Sequence, residues 1–109
     1  MKRKISKNFT LSELVKTSTG LLNNPNDEQI MNLRILTAAI LQPLRSFLNE
    51  KVVLTSGFRS KEVNTAVNGS VGSFHMSGMA ADFKVESFEL AIEYINAYLE
   101  FTELGIYKT

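Results

Sequence analysis

A run of apolar residues at helical spacing between Asn26 and Leu48 sets the tightest limit on what this chain can fold into. Ile30, Leu33, Thr37, Ile40, Leu44 and Phe47 recur every three or four positions, and Leu36, Leu41 and Leu48 widen the stripe. One broad face of a long helix must therefore be buried. A chain of 109 residues has room for a single core against that face and none for a second folded unit. Asn26 with Gln29 three places on, and the acids Asp27 and Glu28 in the first turn, mark where the helix starts. Pro43 removes a backbone donor inside the pattern, so the helix is expected to bend near Ala39.

Shorter elements surround this scaffold. Thr10-Leu11-Ser12-Glu13 reads as a capping box, with Phe9 and Leu14 as a hydrophobic staple, opening a helix over residues 11–16. The polar Asn23-Asn24-Pro25 stretch reads as a connecting loop. Lys51 to Ser56 is rich in β-branched residues and predicts a strand running into a turn at Gly57. Ser60 can cap a brief helix from Lys61 to Ala66. Met79 to Val85 predicts a second strand, with Ala81, Phe83 and Val85 facing the core and Ala80, Asp82 and Lys84 on the other side. Ser87 is expected to cap a last helix whose stripe is Phe88, Ala91, Ile92, Ile95 and Leu99, with Tyr94 and Tyr98 at its edges. Leu104 to Tyr107 fits a further strand. The expectation is an α+β fold with helices packed on one side of a small, mainly antiparallel sheet.

Composition narrows the function classes. Twelve Lys and Arg balance eleven Asp and Glu, a formal charge of +1, and no basic stripe points to nucleic acid. No segment is long and apolar enough to span a bilayer. The absence of cysteine excludes disulfides and thiolate metal sites, and it leaves the redox compartment open. Met1-Lys2-Arg3-Lys4 has the charge of a secretion-signal start without the apolar run that should follow, so no signal is expected and the localisation is not set.

The chemistry sits in Ser73-Phe74-His75-Met76-Ser77-Gly78-Met79-Ala80-Ala81-Asp82, which carries the only histidine. One imidazole and one carboxylate are a partial ligand set for a divalent metal, zinc first. Gly78 allows a sharp turn between them, so a loop histidine and a strand aspartate can converge. Taken as a bare pair they have little specificity, and a surface loop histidine is the ordinary alternative.

The surrounding text adds the specificity. Upstream stand Leu54-Thr55-Ser56-Gly57-Phe58-Arg59-Ser60, Val63-Asn64 and Ala66-Val67-Asn68-Gly69-Ser70, followed by the Ser-x-His-x-x-Gly-x-Ala-x-Asp string. This order resembles the zinc D-Ala-D-Ala carboxypeptidases and their peptidoglycan endopeptidase relatives, whose fold is shared with the Hedgehog signalling domain. The resemblance reaches back to Phe9-Thr10-Leu11-Ser12-Glu13-Leu14 and to Leu41-Gln42-Pro43-Leu44-Arg45, so it covers most of the chain. It implies one peptidase-like domain over residues 1–109, with His75 and Asp82 as zinc ligands. Arg59 is implied to face the cleft as a catalytic and substrate-binding group, and Ser73 to contact substrate, where its alternative role is a backbone hydrogen bond that turns the loop. Phe74 stands where relatives often carry a polar residue such as glutamine. The implied substrate is a peptidoglycan stem peptide, located in the cell wall or periplasm.

In that family the third ligand is a histidine in a C-terminal Trp-x-His or Glu-x-x-His type segment, with the general base just before it. No second histidine occurs in this sequence. The expectation is therefore a C-terminally incomplete domain that is inactive as this chain alone. The alternative is a non-catalytic wall-binding or phage structural module that keeps the fold. Glu103, Lys61, Glu62, Lys84 and Glu86 read as solvated charges, Met76 and Met79 as packing or pocket-wall residues, and nothing in the chain sets an oligomeric state.

Overall fold

The long apolar stripe folds as a helix that runs through Pro43 without stopping. In the computed structural model, which describes residues 3–99 and 103–108, α2 (Asp27–Leu36) opens on a reciprocal capping box between Asn26 and Gln29. A π-helical turn (Thr37–Leu41) follows, and α3 (Gln42–Leu48) continues it to Asn49, which adopts a left-handed conformation. The π turn is the local answer to the proline. Pro43 has no N–H, so the helical ladder widens behind it and the Gln42 N–H donates to the Thr37 carbonyl, five residues back. The deformation expected near Ala39 is this turn. Its Thr37 is fully buried, with the hydroxyl donating to the Leu33 carbonyl at 2.8 Å.

Leu33, Leu36, Ile40, Leu41 and Leu44 enter the core as the periodicity predicts. Phe47 does not. It is 47% exposed and stacks on Tyr94 of the last helix, ring centroids 4.1 Å apart, because at the end of α3 the stripe has turned off the core and onto that neighbour. At the other end of the chain, α1 (Leu11–Leu14) carries the capping box and is shorter than expected, and the staple residues Phe9 and Leu14 are both buried.

The sheet has the order β1-β2-β3, with β1 spanning Val53–Ser56, β2 Ala80–Val85 and β3 Glu103–Lys108. β1 runs antiparallel to β2, and β3 runs parallel to it. The fold is α+β, and the parallel pair follows from the crossover through α5 (Phe88–Tyr98), which returns the chain in the direction it came from. Ala81, Phe83 and Val85 of β2 join the core with Leu54 of β1, and Asp82 is left on the opposite face. α4 (Lys61–Ala66) keeps its predicted bounds and is capped by Ser60, whose hydroxyl accepts from the Val63 amide.

Ser87 was expected to cap α5 with its own side chain, and it makes no such bond. The cap comes from Glu50, whose carboxylate accepts from the amides of Glu86 (3.0 Å) and Ser87 (3.1 Å). The antiparallel register that pairs Val53 with Lys84 carries Glu50 to the end of β2, within reach of those orphan donors. Hydrogen bonds from the Ser87 hydroxyl and from the two amides hold the Glu50 carboxyl below its ordinary value of 4.5, against partial desolvation. A depressed carboxyl contributes stability above its unfolded value and loses it as pH falls through the folded one. The native chain should therefore be more stable than Glu50→Gln at pH 7, and the gap should close below about pH 4.5, measured as urea midpoints at the two pH values.

Candidate metal centre

A 3₁₀ turn, Phe74–Ser77, carries the histidine between α4 and β2. Ser73 caps it, its hydroxyl accepting from the His75 amide at 3.2 Å, which is the loop-turning role open to it from sequence. α2 holds the turn from the side. Gln29 Nε2 donates to the Met76 carbonyl at 3.1 Å, and Asn32 Nδ2 to the Ser77 carbonyl at 2.8 Å. Gly78 closes the turn at φ +80°, and a Cβ there would stand 2.7 Å from the Gln29 carbonyl oxygen. Gly78→Ala should therefore cost about 1–2 kcal/mol for the left-handed backbone alone. The collision with α2 adds to that, and the urea midpoint measures the sum.

His75 is buried, 4% exposed, and its ring is oriented by the backbone of the turn after β1. Nδ1 lies 2.7 Å from the Gly57 carbonyl oxygen, and a carbonyl only accepts, so Nδ1 carries a proton. The neutral ring then presents a bare lone pair on Nε2. That nitrogen lies 3.5 Å from Asp82 Oδ2. With the ring neutral, two acceptor atoms stand at this distance, which a shared cation or a proton would bridge. A tetrahedral zinc holds a nitrogen and an oxygen donor about 3.4 Å apart, so the spacing and the donor types fit a shared zinc ion. Among the described residues, no group of three His, Cys, Asp or Glu side chains gathers to hold a metal. The pair would supply two ligands of a metal site that needs a third.

Arg59 completes the cluster. Its Nη2 donates to the same Asp82 Oδ2 at 3.4 Å, its Nε to Ser56 Oγ at 3.0 Å and its Nη1 to Asn64 Oδ1 at 3.2 Å. A guanidinium has five N–H groups, so one on each terminal nitrogen is left over. A bulge in β1 between Leu54 and Ser56 brings Ser56 opposite Asp82, on the face where it meets Arg59. The Arg59 amide also donates to the His75 carbonyl at 3.0 Å, tying the two loops together.

The structure thus brings His75, Asp82 and Arg59 to one point, with the Ser73 hydroxyl on the backbone amide of His75. Ser73 and the half-exposed Phe74 line an open groove of about 480 Å³ against α2, with Gln29, Asn32 and Met76. Arg59 instead lines a smaller pocket of about 120 Å³ with Ser56, Phe58 and Val63. Two asparagines to which the sequence assigns no role hold the frame. Asn23, read as loop, is buried. It donates to the Val15 and Phe58 carbonyls, both at 2.8 Å, and accepts from the Ser60 amide at 2.6 Å. Asn64, also buried, donates to the Ser70 carbonyl at 2.9 Å while accepting from Arg59. Neither contact has a trace in local spacing.

No curated protein and no solved structure matches the chain. A family model described as Peptidase M15 matches residues 7–109, a span that takes in the capping box of α1, the Arg59 turn, the His75 loop and all three strands. With a metallopeptidase-like donor pair at its centre, the chain belongs to the peptidase M15 family.

Proposed function

We propose that this protein is the framework of a zinc-dependent peptidase that hydrolyses an amide bond in peptidoglycan stem peptides, of the D,D-carboxypeptidase or endopeptidase type. The observation that carries it is the 3.5 Å approach of a lone-pair nitrogen and a carboxylate oxygen, with the imidazole locked in the metal-binding tautomer by Gly57. His75 Nε2 and Asp82 Oδ2 are the two ligands this chain contributes. Zinc bound there supplies a nucleophilic water near neutral pH and polarises a carbonyl. Arg59 offers its two remaining N–H groups to the substrate's terminal carboxylate or to the carbonyl oxygen as it gains charge.

Among the described residues no third His, Cys, Asp or Glu joins the pair, so we expect no peptide cutting from this chain by itself. Equilibrium titration with zinc, together with digestion of purified stem peptides, tests this. The expected result is one zinc per chain and no cut peptide. A chain that takes up no zinc is instead a non-catalytic module that keeps the fold, and peptide cutting by the chain alone shows that the ligand set is already complete.

A further inference from the structure

Asp82 Oδ2 has two neighbours at once: it accepts from Arg59 Nη2 at 3.4 Å and lies 3.5 Å from His75 Nε2. If the pair holds a metal, as the proposed function has it, the metal takes the very oxygen on which Arg59 rests. Asp82 is the only acid in ion-pair contact with Arg59 among the described residues. The other two partners, Ser56 and Asn64, are neutral. The guanidinium is also not free to swing away. Asn64 is buried and tied to the Ser70 carbonyl, and Gly69 packs against the Asn64–Arg59 contact so closely that a Cβ would lie 2.9 Å from Arg59 Nη1. Both Arg59 and Asp82 are largely shielded, with side chains 16% and 21% exposed, so water screens their charges weakly.

We propose that Arg59 is a built-in competitor for the metal, held on Asp82 Oδ2 by Ser56 and Asn64. In the metal-free site it balances the carboxylate. With a metal on Oδ2 the Nη2–H would give up its hydrogen bond to that oxygen, keep its proton, and join the two unassigned N–H groups, so the substrate-holding face of the guanidinium is complete only in the loaded site. Ser56 and Asn64 are positioning residues, since they act through Arg59. One consequence is a metal affinity below what His75 and Asp82 would give without the neighbouring cation.

Zinc titration against a fluorescent chelator at pH 7 tests this on the native chain, Arg59→Gln, Arg59→Lys and Asn64→Asp. Removing the positive charge in Arg59→Gln should tighten zinc binding by about tenfold or more. Arg59→Lys, which keeps the charge, should stay closer to the native value than Arg59→Gln does. Asn64→Asp, which sets a second carboxylate against Nη1, should also tighten it. Equal or weaker affinity in Arg59→Gln overturns the competition. If circular dichroism shows that this variant does not fold, equal or weaker affinity in Asn64→Asp overturns it in the same way. Zinc binding by none of the four overturns the ligand assignment of His75 and Asp82 and this proposal with it, whereas binding without the Arg59 effect overturns this proposal alone.

Discussion

His75→Ala should lower zinc affinity by at least about a hundredfold. Changes to groups that merely orient a metal-binding histidine cost about ten to a hundredfold, and this substitution removes the proposed ligand itself. No second imidazole stands ready to replace it, because the sequence contains none. The ring also has a structural part, since its Nδ1 proton satisfies the Gly57 carbonyl in a buried setting. Losing that donor costs about 1–3 kcal/mol, so the urea midpoint has to be measured beside the zinc titration. Asp82→Asn separates the two effects. It keeps the shape of the side chain and an acceptor for Arg59, removes the charge, and should weaken zinc binding while leaving the His75–Gly57 contact intact. Equal zinc content in the native chain and His75→Ala would remove His75 as a ligand.

The parts of this site that were legible in sequence are those fixed by neighbours. The capping boxes at Thr10 and Asn26 and the Ser60 cap of α4 depend on spacings of three residues, and all three form. The face taken by Asp82 follows from strand alternation next to Phe83 and Val85. Convergence of His75 with Asp82 was suggested by a glycine turn and by the family motif, and the turn forms at Gly78. What escaped is the set of side chains that bind backbone far away in sequence. Gln29 and Asn32 reach 47 and 45 residues to hold the 3₁₀ turn, Asn23 reaches 35 to Phe58, and Glu50 reaches 37 to cap α5. A polar residue of this kind in a loop or on a helix edge has the same local signature whether it meets solvent or a buried carbonyl. The parallel pairing of β3 was hidden for a related reason. Strand direction depends on the connection, and only the route of α5 determines it.

The site also depends on the core beneath it, and Phe83→Ala measures how much. Phe83 has no exposed surface, pairs with Leu54 across the sheet and immediately follows Asp82 in β2. Truncating a buried phenylalanine costs about 3–5 kcal/mol, from lost transfer energy and from the cavity left behind. Domains of this size are stable by about 5–15 kcal/mol in total, so the loss removes about a fifth of the stability at the least and all of it at the worst. The thermal midpoint should fall by more than about 12 °C. Because β2 alternates, the void opens on the face opposite Asp82, and the strand is the only covalent link between the two. Zinc affinity measured well below the new midpoint should then fall much less than in His75→Ala. If Phe83→Ala instead lost metal as completely as His75→Ala while remaining folded, the donor pair would owe its geometry to core packing rather than to the Gly57, Gln29 and Asn32 contacts that hold the turn.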